Sequence, residues 1–419
     1  MDYAKIALKL RGQIGRFSGE LAAGFPKVVR RFIAEMLYGI QARQSVRLTE
    51  VARALNETTS IKKTEERLSR QLGRRWLGEA VTERVAARAA REVDWETLLI
   101  LDLTDLSKKY AKKMEYLGRI RDASAKELGW GYWMVNVIGA GARRVYPLYG
   151  RLFSHRAPEH RSENAEIERA IGTVSDRTEG RGVWVIDRGG DRRELFRYLL
   201  DRKLRFLIRL NDKRGLEVEG RRMSAQEAAA SCPLVYIESL PAKNDRGPLR
   251  LTYGCRRVRL PGRTEILTLV VVRGFGEAPL ILLTNLTVSQ SRKSLWRVVA
   301  GYMARWRVEE AIRFIKQSYR LEDIRLLTYR RLQNMIALVM AVVYFASVYL
   351  DAKLKLRVLS QHVLKAARRV FGIPDFRLYA LADGIKHCLF SRSPGVRGLS
   401  AALSPSNASP PFQLPLFDS

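Results

Sequence analysis

Cysteine is scarce in this chain: Cys232, Cys255 and Cys388 are the only three in 419 residues, scattered and without a CxxC pair. That excludes a disulfide framework, argues against a structural zinc site and fits a reducing cytosol. Histidine is scarce too, with four in all and none at metal-ligand spacing from another. His155 and His160 share a polar segment and read as solvated. Acidic residues are the minority charge, 43 against 75 Lys and Arg. Long apolar runs are missing apart from Met335 to Leu350, which is shorter than the ~20 residues a membrane span needs. It reads as a buried core helix, and no membrane partner is expected. No secretory signal is read at the N-terminus.

What is present is positive charge. The net charge is +32, and the cations are spread over the whole length rather than gathered in a tail. A polyanionic partner is the natural reading, DNA or RNA. Arginine outweighs lysine, which suits bidentate contacts with phosphate. Apolar residues make up 47% of the chain, ample for a core. The length implies two or three domains.

Residues 1–92 read as helical. Within them Leu48 to Leu55 begins with Thr49 as its expected N-cap, and after a polar break Ile61 to Leu72 resumes helical periodicity. Two short helices, the second rich in cations, form either a helix-turn-helix reader or an ordinary helical hairpin with a solvated basic face. From residue 97 the period changes, within a core whose first part is taken to begin at 93. Thr97 to Asp102 is a short apolar run of the kind found in a buried central strand. Tyr132 to Ile138 and Arg144 to Tyr149 follow as a hairpin. Ser162 then caps a helix to about Val174, Gly182 to Asp187 is a strand, Asp191 opens a helix through Leu200, and Leu204 to Leu210 is another strand. The order β-β-β-α-β-α-β is that of the ribonuclease-H-like fold. The expected class is therefore α/β, with a ribonuclease-H-like catalytic core preceded by an all-α N-terminal domain.

Residues 212–290 break the alternation. Strands are expected at Val235–Leu240, Leu249–Tyr253, Arg256–Leu260, Ile266–Val272 and Leu280–Thr284, which makes a β-rich insertion between the first part of the core, 93–211, and the second, 291–392. Residues 393–419 read as a flexible tail.

The segment Gly301 to Lys316 places Tyr302, Arg305, Glu309 and Lys316 on one helical stripe about 60° wide. Val308, Ala311 and Ile315 lie on the far side, toward a core. A carboxylate flanked by two cations and a phenol suits a divalent metal beside a phosphodiester. Arg305 can grip a phosphate bidentately, Lys316 acts as a point charge, and Tyr302 donates or stacks. Trp306 either stacks on a base or packs in the core. Asp102 and Asp187 each follow an apolar run, so adjacent parallel strands would place them side by side. Asp105 lies beyond the first run and reads as a cap for a following helix, Asp191 reads as a helix N-cap, and Glu310 falls off the stripe.

The spacing Y-x2-R-x3-E-x6-K, complete at all four positions, resembles the signature of DDE transposases of bacterial insertion sequences, the insertion-sequence-four family. The resemblance spans about residues 45 to 350. It implies that Asp102, in Asp102-Leu-Thr104, Asp187, in Asp187-Arg-Gly-Gly-Asp191, and Glu309 are the catalytic, metal-binding triad. It also implies two Mg²⁺ ions, with Mn²⁺ able to substitute, and DNA-end contacts by Tyr302, Arg305 and Lys316. A helical DNA-end-binding domain, element-end and target DNA as partners, a dimer on paired ends and a bacterial cytoplasmic, nucleoid-associated location complete the expectation. Hairpin-forming relatives place a tryptophan in the strand before the signature helix, and Leu280 to Leu283 contains none. The rival readings are a ribonuclease-H-fold nuclease or junction resolvase without strand transfer, and a non-catalytic DNA-binding descendant.

Near the end, Gln413-Leu414-Pro-Leu416-Phe417 resembles the peptide by which bacterial proteins dock on the replicative sliding clamp. The other reading is a tail packed on its own catalytic domain.

Overall fold

An apolar run such as Leu98–Leu101 can be satisfied only between two other strands, and that is where it lies. The computed structural model describes residues 3–121, 127–141, 144–241, 248–350, 354–371 and 377–390. The clamp-like peptide at 413–417 is outside the described residues. Strand β1 (Leu98–Ser107) pairs antiparallel with β3 (Leu128–Ala140) and parallel with β5 (Val183–Ile186). Beyond β3, its first residues pair with the short β2 (Gly118–Arg121) and the rest with β4 (Val145–Phe153). On the other side β5 pairs in parallel with β6 (Phe206–Arg209). Helix α6 (Glu163–Thr178) joins β4 to β5, and α7 (Arg193–Asp201) joins β5 to β6. The order β-β-β-α-β-α-β read from the sequence is present in this mixed α/β structure with one short strand, β2, added between the first two.

Three local expectations need correction. First, β1 does not stop at Asp102. Pairing with β3 continues through Asp105↔Trp133 to Ser107↔Gly131, so Asp102 is mid-strand and Asp105 caps no helix. Second, the two strands expected at 249–253 and 256–260 are one, β10 (Leu249–Val258). Gly254 and Cys255 stay extended because both are paired to β11 (Leu267–Arg273) across the ladder. Third, the β-rich stretch continues the main sheet. Strand β12 (Leu280–Thr284) pairs antiparallel with β6, and β11, β10 and β9 (Tyr236–Leu240) follow outward. Among the described residues only the hairpin β7 (Gly215–Val218) and β8 (Arg221–Ser224), which leads into the short helix α8 (Ala225–Ala230), forms a separate sheet.

Five helices precede the sheet: α1 (Tyr3–Leu21), α2 (Lys27–Arg43), α3 (Leu48–Leu55), α4 (Ile61–Leu72) and α5 (Leu77–Ala89). Helix α3 starts from Arg47 with no side-chain cap, so Thr49 is inside the helix rather than its cap. Ser162 caps α6 as expected, and Ser60, read only as the end of a polar break, caps α4. The apolar stretch around 335–350 forms α10 (Tyr329–Tyr344), extended by a π turn over Phe345–Tyr349. This helix has the length and apolar character to cross a membrane, but it is packed inside the protein. Phe17 of α1 stacks against Tyr344, Phe345 and Tyr349. The buried Asn334 of α10 donates to the carbonyls of Leu72 (2.6 Å) and Arg74 (2.8 Å) and accepts from the Gly78 N–H (2.9 Å). The N-terminal helices thus share one core with α10.

Candidate active site

Parallel pairing of β1 and β5 runs from Leu98↔Val183 to Leu101↔Ile186, and the next residue of each strand is an aspartate. Register alone therefore puts Asp102 and Asp187 side by side on one face of the sheet. Asp187 leaves β5 as the cap of a short 3-10 turn, its Oδ1 accepting from the Gly189 N–H at 2.8 Å. The long helix α9 (Arg292–Ser318) brings Glu309 to the same end of the strands. A cleft of about 590 Å³ opens there, lined by Asp102, Asp105, Glu309, Lys316, Glu322 and Asp323 among others.

Charge crowding marks the centre. Burial, then the Asp187 carboxylate, push the Asp102 carboxyl up to about 7, with Glu309 adding to the rise and Arg305 and Lys316 opposing it. A carboxyl withdrawn from water beside a second carboxylate holds its proton more tightly than a solvated one. Glu309 lines the same cleft as Asp102 and has its own cation partner. It binds Arg305 Nη1 at 2.7 Å, an i,i+4 contact along its own helix. Among the described residues no three acidic, histidine or cysteine side chains are grouped closely enough to hold a metal ion. The donor set itself fits a hard divalent cation: it is all carboxylate oxygen, and it is deficient in positive charge.

The signature residues are placed as follows. Tyr302 is buried at 1% exposure, beneath Arg305, whose guanidinium carbon lies 5.6 Å from the ring centroid. Burial raises its hydroxyl above the usual phenol range. Arg305 is also buried, and its Nε finds no hydrogen-bond partner among the described residues. Lys316 lies 3.7 Å from Asp105 and 3.4 Å from Glu322. Trp306 is half-exposed and meets Phe275 edge-on at 5.2 Å. Glu310 pairs with Arg313, off the stripe. On the far side Ala311 and Ile315 are buried, which anchors the helix in the core.

Asp191 is not the expected helix cap. Helix α7 begins after Arg192, and the buried Asp191 is instead clamped by Arg214 Nε at 2.5 Å and by the Asn211 N–H at 2.7 Å. His155 is exposed, whereas His160 stacks on Phe153. Sequence reading missed two polar groups around the centre. Asn136 of β3 pairs directly with Asp102, so it shares its face of the sheet. It is fully buried, with neither side-chain atom hydrogen-bonded among the described residues. Lys108 is buried under the cleft wall, donating to the carbonyls of Leu321, Glu322 and Ile324. Burial lowers its ammonium to about 8. No spacing in the sequence marks either residue; only strand register does. A second hollow, about 620 Å³, lies at the other end of the strands, lined by Leu98, Val183 and Leu207. It holds none of the candidate carboxylates.

Comparison with known proteins adds an independent line. Residues 152–345 match the family model described as the transposase DDE domain, a stretch that includes Asp187 and Glu309 and begins after Asp102. No curated protein matches the chain. Among solved structures, a piggyBac transposase synaptic complex with hairpin DNA is similar over 94% of this chain and 86% of that one, at 13% identity and a TM-score of 0.43. The chain therefore carries a segment similar to the transposase DDE domain.

Proposed function

We propose that this protein is the transposase of an insertion sequence, of the Y-x2-R-x3-E-x6-K group: it binds the element's ends, cuts them and joins the freed 3′-ends to target DNA. The observation that carries the reading is the charge-crowded pair Asp102 and Asp187, set side by side by strand register with Glu309 on the helix above. Asp102, Asp187 and Glu309 would hold two divalent ions, Mg²⁺ or Mn²⁺. Bound there, such ions activate the attacking oxygen and stabilise the leaving one. The protein's own residues do the rest. Arg305 and Lys316 counter the repulsion between carboxylates and phosphate, and Tyr302 acts through Arg305, against which it packs. A substrate phosphate competing for Arg305 frees Glu309 to turn toward Asp102. Trp306 keeps an exposed face for a base. The helices of residues 1–92 are the end-binding unit, with the exposed Lys62, Lys63 and Arg70 of α4 facing DNA. The pairing of two ends implies a dimer, acting in the bacterial cytoplasm.

The test is strand transfer in vitro, with purified protein, a duplex carrying the element's own terminus, a supercoiled target and Mg²⁺. Joined product that disappears in Asp187→Ala supports the reading. Cleavage without joining would replace it with a nuclease, and binding without cleavage in either metal would remove the catalytic claim.

A further inference from the structure

Beside the carboxylate cleft lies a strongly basic surface. Lys109, Lys112 and Lys113 project from the segment between β1 and β2, and Arg119 and Arg121 from β2; all five are exposed. None of the five has a carboxylate partner among the described residues, although many other arginines here are ion-paired. Aromatic groups are interleaved with them. Tyr110 is 86% exposed and lies within 5.8 Å of the Lys109 ammonium. Strand register sets Arg119 opposite Trp130 and Arg121 opposite Leu128, so these four share the outward face of the β2–β3 hairpin. The Arg119 guanidinium sits 5.0 Å from the Trp130 ring centroid, and the indole is still 40% exposed.

The surface is built rigidly and joined to the cleft. Lys108 anchors its start to the carbonyls of 321, 322 and 324, the segment that carries the cleft residues Glu322 and Asp323. Glu115 anchors its far end, its N–H donating to the Leu327 carbonyl at 2.8 Å and its carboxylate accepting from the Tyr329 N–H at 2.8 Å. Uncompensated cations on a fixed frame repel one another, so the arrangement is stabilised by a polyanion. A second copy of this equally basic chain would meet like charge.

We propose that this surface is a strand-guiding platform: Lys109, Lys112 and Lys113 hold phosphates of the DNA strand running out of the cleft, while Trp130, backed by Arg119, and Tyr110 stack on its exposed bases. Cations interleaved with aromatic faces are what an unpaired strand requires. The proposal rests on the reading of this chain as an enzyme acting on DNA and adds where the strand leaves the site.

The experiment uses the full chain and two fluorescein-labelled probes of random sequence, a duplex and a single strand of equal length, titrated at several salt concentrations. The triple variant Lys109→Ala/Lys112→Ala/Lys113→Ala is expected to lower the slope of log affinity against log salt for the duplex by about 2 to 3. Trp130→Ala is expected to weaken single-strand binding about 5- to 150-fold with the salt slope unchanged, and Trp130→Phe to retain most of the affinity. Variants that bind both probes like the wild type, while the wild type binds normally, overturn the platform alone. A wild type without affinity for either probe overturns the DNA reading and the platform with it. Unchanged DNA binding with lost self-association in sedimentation assigns the surface to a second copy and overturns the proposal.

Discussion

Asp102 concentrates the site's chemistry in one proton. Its carboxyl is raised in the folded chain to about 7 from an ordinary value of 3.8. Between those values the folded state binds more protons than the unfolded one, so stability falls as pH rises through the window. The metal-free protein is therefore expected to melt at a lower temperature at about pH 8 than at about pH 5 on this account. Asp102→Asn should flatten that dependence, because the amide carries no charge to crowd. Added Mg²⁺ should raise the melting temperature chiefly above neutrality, where the proton no longer competes with the ion. Thermal unfolding at the two pH values, with and without Mg²⁺, measures both effects. An unchanged slope in the Asp102→Asn protein would locate the crowding elsewhere.

At the level of elements, two long helices do different work. Helix α9 buries Tyr302, Ala311 and Ile315, and that packing fixes where it carries Glu309 beside the ends of the central strands. Helix α10 is the post on which the N-terminal helices stand, and Asn334 is the joint. Asn334→Ala leaves two carbonyls and one N–H of residues 72–78 buried without partners. The expected loss is about 3 kcal/mol or more, read from urea unfolding. Asn334→Asp should not recover it, since a buried carboxylate would set an oxygen against the Leu72 and Arg74 carbonyls in place of the donating amide. A loss within about 0.5 kcal/mol, the range of an ordinary surface substitution, would mean that the helices are not coupled through this residue.

For the whole molecule the governing quantity is the net charge of +32. If ~6–10 phosphates are neutralised, DNA affinity should fall by ~10³–10⁵ between ~50 and ~200 mM salt. Fluorescence anisotropy across that range tests it, and a flat salt response would show that the charge serves something other than phosphate. The sheet explains how a chain of this composition still folds around an acidic centre. Its β6–β12 ladder turns the β-rich stretch into an extension of the core, so α9 re-enters the site despite the long spacing between Asp187 and Glu309.

Much of this was legible in local pattern. Short apolar runs announce buried strands wherever both faces are covered, so β1, β5, β6, β11 and β12 were placed within a few residues. Ser162 announces a cap because a hydroxyl can accept a helix's first free N–H groups. The stripe through Tyr302, Arg305, Glu309 and Lys316 follows from helical period, and the parallel placement of Asp102 and Asp187 from strand patterning. What the sequence could not specify is who answers whom. Whether Asp191 caps a helix or meets Arg214, whether Glu309 faces Asp102 or Arg305, and which residue lies across from Asp102 depend on side chains distant in sequence meeting in space. Those partners are chosen by register and packing, which no local period encodes. The short β2, the anchoring of Lys108 and the buried amides of Asn136 and Asn334 belong to the same class, since each becomes visible only when the chain has closed on itself.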